Sequence, residues 1–169
     1  MATLVPLSAI DPQMVEELLD ASFGEGRHAR TAYRIREGTD WLDALSFAAL
    51  DDDDYLAGTI QLWPVALTDP RGRAHPMIMV PGRQGEGFGK ALMAASLGAI
   101  DAGFEDGASP LPQVMIGDPD YYDRWQFTAA HTQGWHCPGP FEKHRLLARS
   151  GNPAILPAEG MLGPWSLAN

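Results

Sequence analysis

Residues 76–93, PMIMVPGRQGEGFGKALM, set Gly85, Gly87 and Gly89 between an apolar run and a segment with helical apolar spacing. An apolar strand, a glycine loop and a helix start in that order present backbone amides to an anion. Glycines let the backbone approach without a Cβ in the way, and the helix opening at Phe88 to Leu92 adds its dipole. A pyrophosphate fits such a cradle. A second group with chemical potential is Asp118, Pro119, Tyr121 and Tyr122, followed by Trp125 and Phe127. Four consecutive carboxylates, Asp51, Asp52, Asp53 and Asp54, invite a metal, but like charges between two apolar runs read as a solvated turn, and no metal site is expected. Cys137 lies beside His136, yet catalytic Cys and His normally meet from distant positions, so adjacency says little. His75, His131, His136 and His144 each read first as hydrogen-bonded surface or core residues.

The spacing of the glycine loop separates it from other phosphate loops. A Walker loop needs a glycine where Gln84 stands and a Ser or Thr where Ala91 stands. The dinucleotide fingerprint needs glycines two and then three apart, whereas Gly85, Gly87 and Gly89 are two and two apart. Neither route to a nucleotide is followed.

The elements that must position these groups are those of one compact domain spanning residues 1–169, since 169 residues at 45% hydrophobic and 20% charged suffice for one core. Twelve Lys and Arg against 22 Asp and Glu give a net charge of −10, which repels nucleic acid and anionic membranes; it would also attract a cationic amine, but a solvated surface that keeps the protein soluble is the preferred reading of it. One cysteine suits a reducing compartment, and no basic segment precedes a long apolar run, so a cytoplasmic protein is expected.

Thr3 to Leu7 reads as a strand, and Asp11 with Pro12 as the cap and first residue of a helix carrying Met14, Val15, Leu18 and Leu19. Ala29 to Ile35 reads as a second helical piece with a basic cluster of Arg27, Arg30, Arg34 and Arg36 that could line a substrate entrance. Leu45 to Leu50 and Tyr55 to Val65 read as two strands, Pro70 to Arg73 as a turn and Met77 to Val80 as a strand. Phe88, Ala91, Leu92, Ala95 and Ala99 make the expected inward face of the next helix, ending near Gly103. Val114 to Ile116 is a short strand, Asp118 and Pro119 start another helix, and Trp135 and Arg145 to Ala148 are strand cores. From Asn152 the prolines and glycines suggest an irregular tail.

Gln84, two residues, Gly87, one residue and Gly89, directly after a strand and opening a helix, resemble the acetyl-CoA motif of the GNAT superfamily of N-acetyltransferases. Arg83 through Lys90 match that motif in place. Pro76, the Met77 to Val80 strand and Pro81 resemble the segment before the loop in a bacterial subgroup. Gly117, Asp118, Pro119, Tyr121, Tyr122, Arg124, Trp125 and Phe127 resemble its later motif. His75 and Gln126 depart from it, each standing where glycine is usual. The resemblance covers about the central third of the chain and implies an α/β (α+β) fold, with a mixed central sheet of about six to seven strands, one splayed pair and about four helices.

The resemblance further implies an acetyl-CoA cosubstrate gripped at the pyrophosphate by Gln84, Gly85, Gly87, Phe88, Gly89 and Lys90. Met77, Met79 and Val80 would offer strand amides to the pantetheine, the Met79 amide polarising the thioester carbonyl. Asp118 would sit beside the pantetheine or act only as a helix cap. Tyr122, five residues before Phe127, would protonate the leaving sulfur, its alternative being packing of the helix on the sheet. The implied activity is N-acetyl transfer to a small-molecule or protein amine. A non-catalytic CoA-binding sensor or scaffold is the alternative, and a docking protein using its five Trp and the tail a third reading. Trp41, Trp135 and the arginines lie where acceptor specificity is expected; exposed tryptophans would favour a homodimer, but burial is not readable from sequence.

Overall fold

The computed structural model describes residues 3–24, 26–27, 30–81, 88–102 and 110–165. Nine strands and four α-helices occur among them. They are β1 Thr3–Pro6, α1 Pro12–Phe23, α2 Thr31–Ile35, β2 Phe47–Leu50, β3 Leu56–Ile60, β4 Trp63–Thr68, β5 Ala74–Met79, α3 Gly89–Ala102, β6 Gln113–Ile116, α4 Pro119–Tyr122, β7 Gly134–His136, β8 Leu146–Arg149 and β9 Glu159–Pro164. The strands form an antiparallel sheet β1-β2-β3 and a mixed sheet β7-β9-β4-β5-β6-β8. β5 runs parallel to β6, and β7 parallel to β9; every other pairing is antiparallel. The expected mixed sheet with flanking helices is present. None of the helices among the described residues is long and apolar enough to cross a membrane.

Tyr55 to Val65 is not one strand, as the sequence suggested, but two strands in different sheets. The break falls at Gln61 and Leu62, where the buried Ser46 hydroxyl accepts from the Leu62 amide (3.0 Å) and donates to the Leu42 carbonyl (2.8 Å). Leu42 in turn donates to the Leu62 carbonyl (2.7 Å), so the chain leaves one ladder and enters the next without orphaned polar groups.

Helix α1 starts as its sequence indicates, with the Asp11 carboxylate accepting from the Gln13 amide and Pro12 in the first turn, and it ends at Gly24 with φ +85°. Helix α3 presents Leu92, Met93, Ser96, Leu97 and Ile100 to the core, while Ala91 is exposed. The expected alanine face is therefore rotated. Burying a Leu, Met or Ile side chain contributes about 1.5–3 kcal/mol, more than an alanine methyl can, so the larger residues decide which side turns inward. The buried Ser96 hydroxyl donates to Leu45 O at 2.7 Å.

The tail is not irregular throughout. After the turn at 153–155, β9 inserts between β7 and β4 in the six-stranded sheet. A Cβ on Gly160 would lie 2.7 Å from Leu67 Cγ and 2.8 Å from Thr68 O, so glycine is needed there for contact. The acidic run at 51–54 is a turn in which Asp51 Oδ1 accepts from the Asp53 and Tyr55 amides.

Replacing Ser46 with alanine leaves the Leu62 amide and the Leu42 carbonyl without their side-chain partner. A loss of roughly 1–3 kcal/mol is expected in denaturant unfolding. A loss below about 0.5 kcal/mol would mean that the break between the sheets is not held by this hydroxyl.

Candidate functional site

Strand β5 lies between β4 and β6 with both faces covered. Met77 and Met79 face a cluster with Val65, Val114, Trp135 and Leu162, while Ile78 and Val80 face one with Leu92, Met93, Met115, Tyr122 and Phe127. The Ile78 and Val80 amides donate to Pro112 O and Val114 O of the β6 segment, each at 2.9 Å. Among the described residues the β5–β6 ladder ends there, at Pro81, while β6 continues through Met115 and Ile116 paired with β8. Strand alternation turns the Met79 amide the other way, towards its partner Trp63 on β4. The amide singled out by the sequence therefore lies on the β4 side, and the β6-facing amide at that level belongs to Val80.

Gln84, Gly85 and Gly87 lie outside the described residues. Phe88 packs half-buried on the core, its carbonyl accepting from the Leu92 amide at 3.0 Å. Gly89 opens the 14-residue α3, and Lys90 is exposed in its first turn, where a cation and the unpaired amides of a helix start would face the same anion.

Asp118 caps α4, accepting from the Asp120 amide at 2.9 Å, with Pro119 in the first turn. Its position is fully explained by that cap. Tyr122 is 4% exposed, and burial pushes its hydroxyl up to about 12, with Tyr121 and Asp118 adding to the rise and Arg145 opposing it. Its ring meets Tyr121 edge-on at 4.8 Å and Phe127 at 6.4 Å, so it packs the helix to the sheet and keeps its proton at neutral pH. Gln126 takes the left-handed conformation at φ +70°, which accounts for a glycine being the easier residue at this turn. Cys137 is buried, and burial raises its thiol to about 12, which disqualifies it as a thiolate nucleophile.

His75 lies at the far end of β5 from Val80. Its Nε2 pairs with Asp69 Oδ2 at 2.9 Å, and the same carboxylate accepts from the Arg71 and Arg73 amides to close the β4–β5 hairpin. The departure at position 75 thus serves a turn.

The basic cluster divides. Arg27 is 1% exposed and bonded to the carboxylates of Glu16 and Asp20. Arg36 lies between two rings, with its guanidinium carbon 4.0 Å from the Tyr33 centroid and 3.9 Å from that of Trp63. These residues with Gln61 line a cavity of about 280 Å³ beside the Trp63–Met79 pair. Trp135, expected near the acceptor, is instead fully buried and donates its Nε1 proton to Pro157 O at 2.7 Å. Trp63 and Gln61 were missed because their place depends on the pairing of β4 with β5.

A model of the acetyltransferase (GNAT) family matches residues 13–111. No curated protein matches the chain. Among solved structures, the chain is similar to YhbS, a GNAT family N-acetyltransferase from Escherichia coli in complex with CoA. The TM-score is 0.63 at 21% identity, over 98% of this chain and 89% of that one. It is also similar to a GNAT family acetyltransferase from Brucella melitensis in complex with acetyl-CoA, with a TM-score of 0.57 at 19% identity, over 100% of this chain and 99% of that one. At these identities the likeness is one of fold.

The His75 hydrogen bond, followed by those of the Arg73 and Arg71 amides, holds the Asp69 carboxyl below its usual range. A carboxyl depressed in the folded state stabilises it above the unfolded value of about 3.9 and loses that contribution as pH falls through the folded value. The melting-temperature gap between wild type and Asp69→Asn should be constant above about pH 5 and narrow below about pH 4. Calorimetry across that range checks it, and a gap unchanged at low pH would remove the assigned contribution.

Proposed function

The chain belongs to the acetyltransferase (GNAT) family, and on that premise we propose that it transfers an acetyl group from acetyl-CoA to a primary amine by direct attack, with no covalent enzyme intermediate. The match over residues 13–111 carries this reading, because it spans the strand, glycine loop and helix whose order suits a pyrophosphate. That the E. coli and Brucella structures are complexes with CoA and acetyl-CoA supports the choice of donor.

The two faces of β5 suggest how the labour is divided. Gln84, Gly85, Gly87, Phe88, Gly89 and Lys90 would hold the pyrophosphate at the start of α3. Met77, Met79 and Val80 would border the pantetheine and the thioester where the β5–β6 ladder ends. A backbone amide at that end would polarise the carbonyl; for Met79 to serve, β5 must open away from Trp63. The acceptor would arrive from the opposite face, past Trp63 and Arg36.

The amine must lose one proton before attack and a second as the amide forms, while the sulfur gains one as the carbon–sulfur bond breaks. Tyr122, kept protonated by burial on the α3 side of the sheet, would donate to that sulfur. Asp118 would contribute by capping α4, which fixes the backbone of Tyr122 through its amide bond to Asp118 O at 3.0 Å. A net charge of −10 favours a small cationic or zwitterionic amine over nucleic acid or a membrane, and a cytoplasmic location belongs to the same reading.

Calorimetric titration with acetyl-CoA should give micromolar binding that Gly87→Trp abolishes. Tyr122→Phe should lower kcat roughly 10²–10⁴-fold while acetyl-CoA affinity stays unchanged. Unchanged turnover would reduce Tyr122 to packing, and no binding by the wild type would sink the acetyl-transfer reading.

A further inference from the structure

We propose that the acceptor carries a carboxylate beside its amine, and that Arg36, clamped between Tyr33 and Trp63, binds that carboxylate in the cavity next to the end of β5. The inference deepens the acetyl-transfer reading and rests on it for the fate of the amine, though not for recognition of the anion.

Arg36 differs from its neighbour in what it is bonded to. Arg27 is neutralised by Glu16 and Asp20, whereas Arg36 forms no ion pair among the described residues. Its guanidinium carbon lies 4.0 Å from the Tyr33 ring centroid and 3.9 Å from that of Trp63, so both rings hold the group at the cavity. A planar fork held by two rings is preorganised for hydrogen bonds to a carboxylate. Desolvation lowers Arg36 to about 10, which leaves it charged at neutral pH in a setting where that charge is poorly hydrated.

The surroundings suit the same ligand. Gln61 is 6% exposed, lines the cavity and has no side-chain hydrogen bond among the described residues. Trp63 also lines the cavity, and its indole N–H is buried without a hydrogen-bond partner. An unpaired cation beside the Gln61 amide is costly in an empty protein and is relieved by a ligand with acceptor oxygens. Glu37, which also lines the cavity, supplies negative charge for an ammonium group, which makes the complement a zwitterion rather than a bare anion. The cavity of about 280 Å³ accommodates a compact molecule, and Trp63 leads from it directly to Met79 on the strand where transfer is proposed.

The test is equilibrium binding to the full chain, read by tryptophan fluorescence and calorimetry. The probes are the common α-amino acids and, separately, the matching amines that lack the carboxylate. At least one amino acid should bind about tenfold to hundredfold more tightly than its amine. Arg36→Gln should abolish that preference while leaving acetyl-CoA affinity unchanged, and Arg36→Lys should restore only part of it, since an ammonium is a point charge. Equal binding of amino acids and amines, no binding of any amino acid, or an undiminished preference in Arg36→Gln would each overturn the proposal. Acetyl-CoA titration is run in parallel. Its failure alone would remove the acetyl-transfer reading and leave the carboxylate site standing.

Discussion

The parallel contact between β5 and β6 is the constraint from which the rest of the architecture follows. Two strands running in the same direction cannot be joined by a tight turn, so the chain must leave the end of β5, cross one face of the sheet and return. Helix α3 makes that crossing, and its apolar side, from Leu92 to Ile100, packs on Ile78, Val80 and Met115. The crossover also places the glycine loop and the start of α3 at the end of β5, where the amides of a helix start are open.

Once α3 occupies one face, the other is left to α2 and the segment around Pro138 and Pro140. Thr31 and Arg34 of α2 bond to carbonyls of that segment, Arg34 reaching Pro138 O at 3.4 Å. The two faces then acquire different chemistry. Beneath α3 and α4, Tyr121, Tyr122, Trp125 and Phe127 form an aromatic cluster with the Arg124 guanidinium against Tyr121 and Trp125, and burial holds the Tyr122 proton in place. Beneath α2, a guanidinium is stacked between rings beside carboxylates and a buried amide. β5 separates the two environments by the thickness of one strand.

Local rules are broken where these environments are built. Gln126 adopts a conformation that costs a non-glycine residue about 1–2 kcal/mol, and Trp63 and Arg27 each leave a buried N–H unpaired. Such costs persist only where the surrounding fold imposes them, and Asp54 at φ +62° and the unpartnered Arg149 Nε carry them elsewhere in the fold.

Asp11–Pro12 and Asp118–Pro119 were legible as helix starts because a cap is a contact between residues two apart. The acidic turn at 51–54 was legible for the same reason. β9 was not legible: Gly160 and Pro164 argue against a strand by propensity, and only the close approach of Leu67 and Thr68 shows why glycine is required. The break at Leu62 depends on a hydroxyl 16 residues away, and the buried state of Trp135 on a carbonyl 22 residues on. The sequence by itself determined the helix caps, the acidic turn and the family resemblance, because these are patterns of near neighbours. Tertiary structure alone decided which face of α3 turns inward, which arginine is neutralised and which is left to stack between Tyr33 and Trp63. Those outcomes depend on which distant strands pair, and strand pairing is fixed only when the whole core closes.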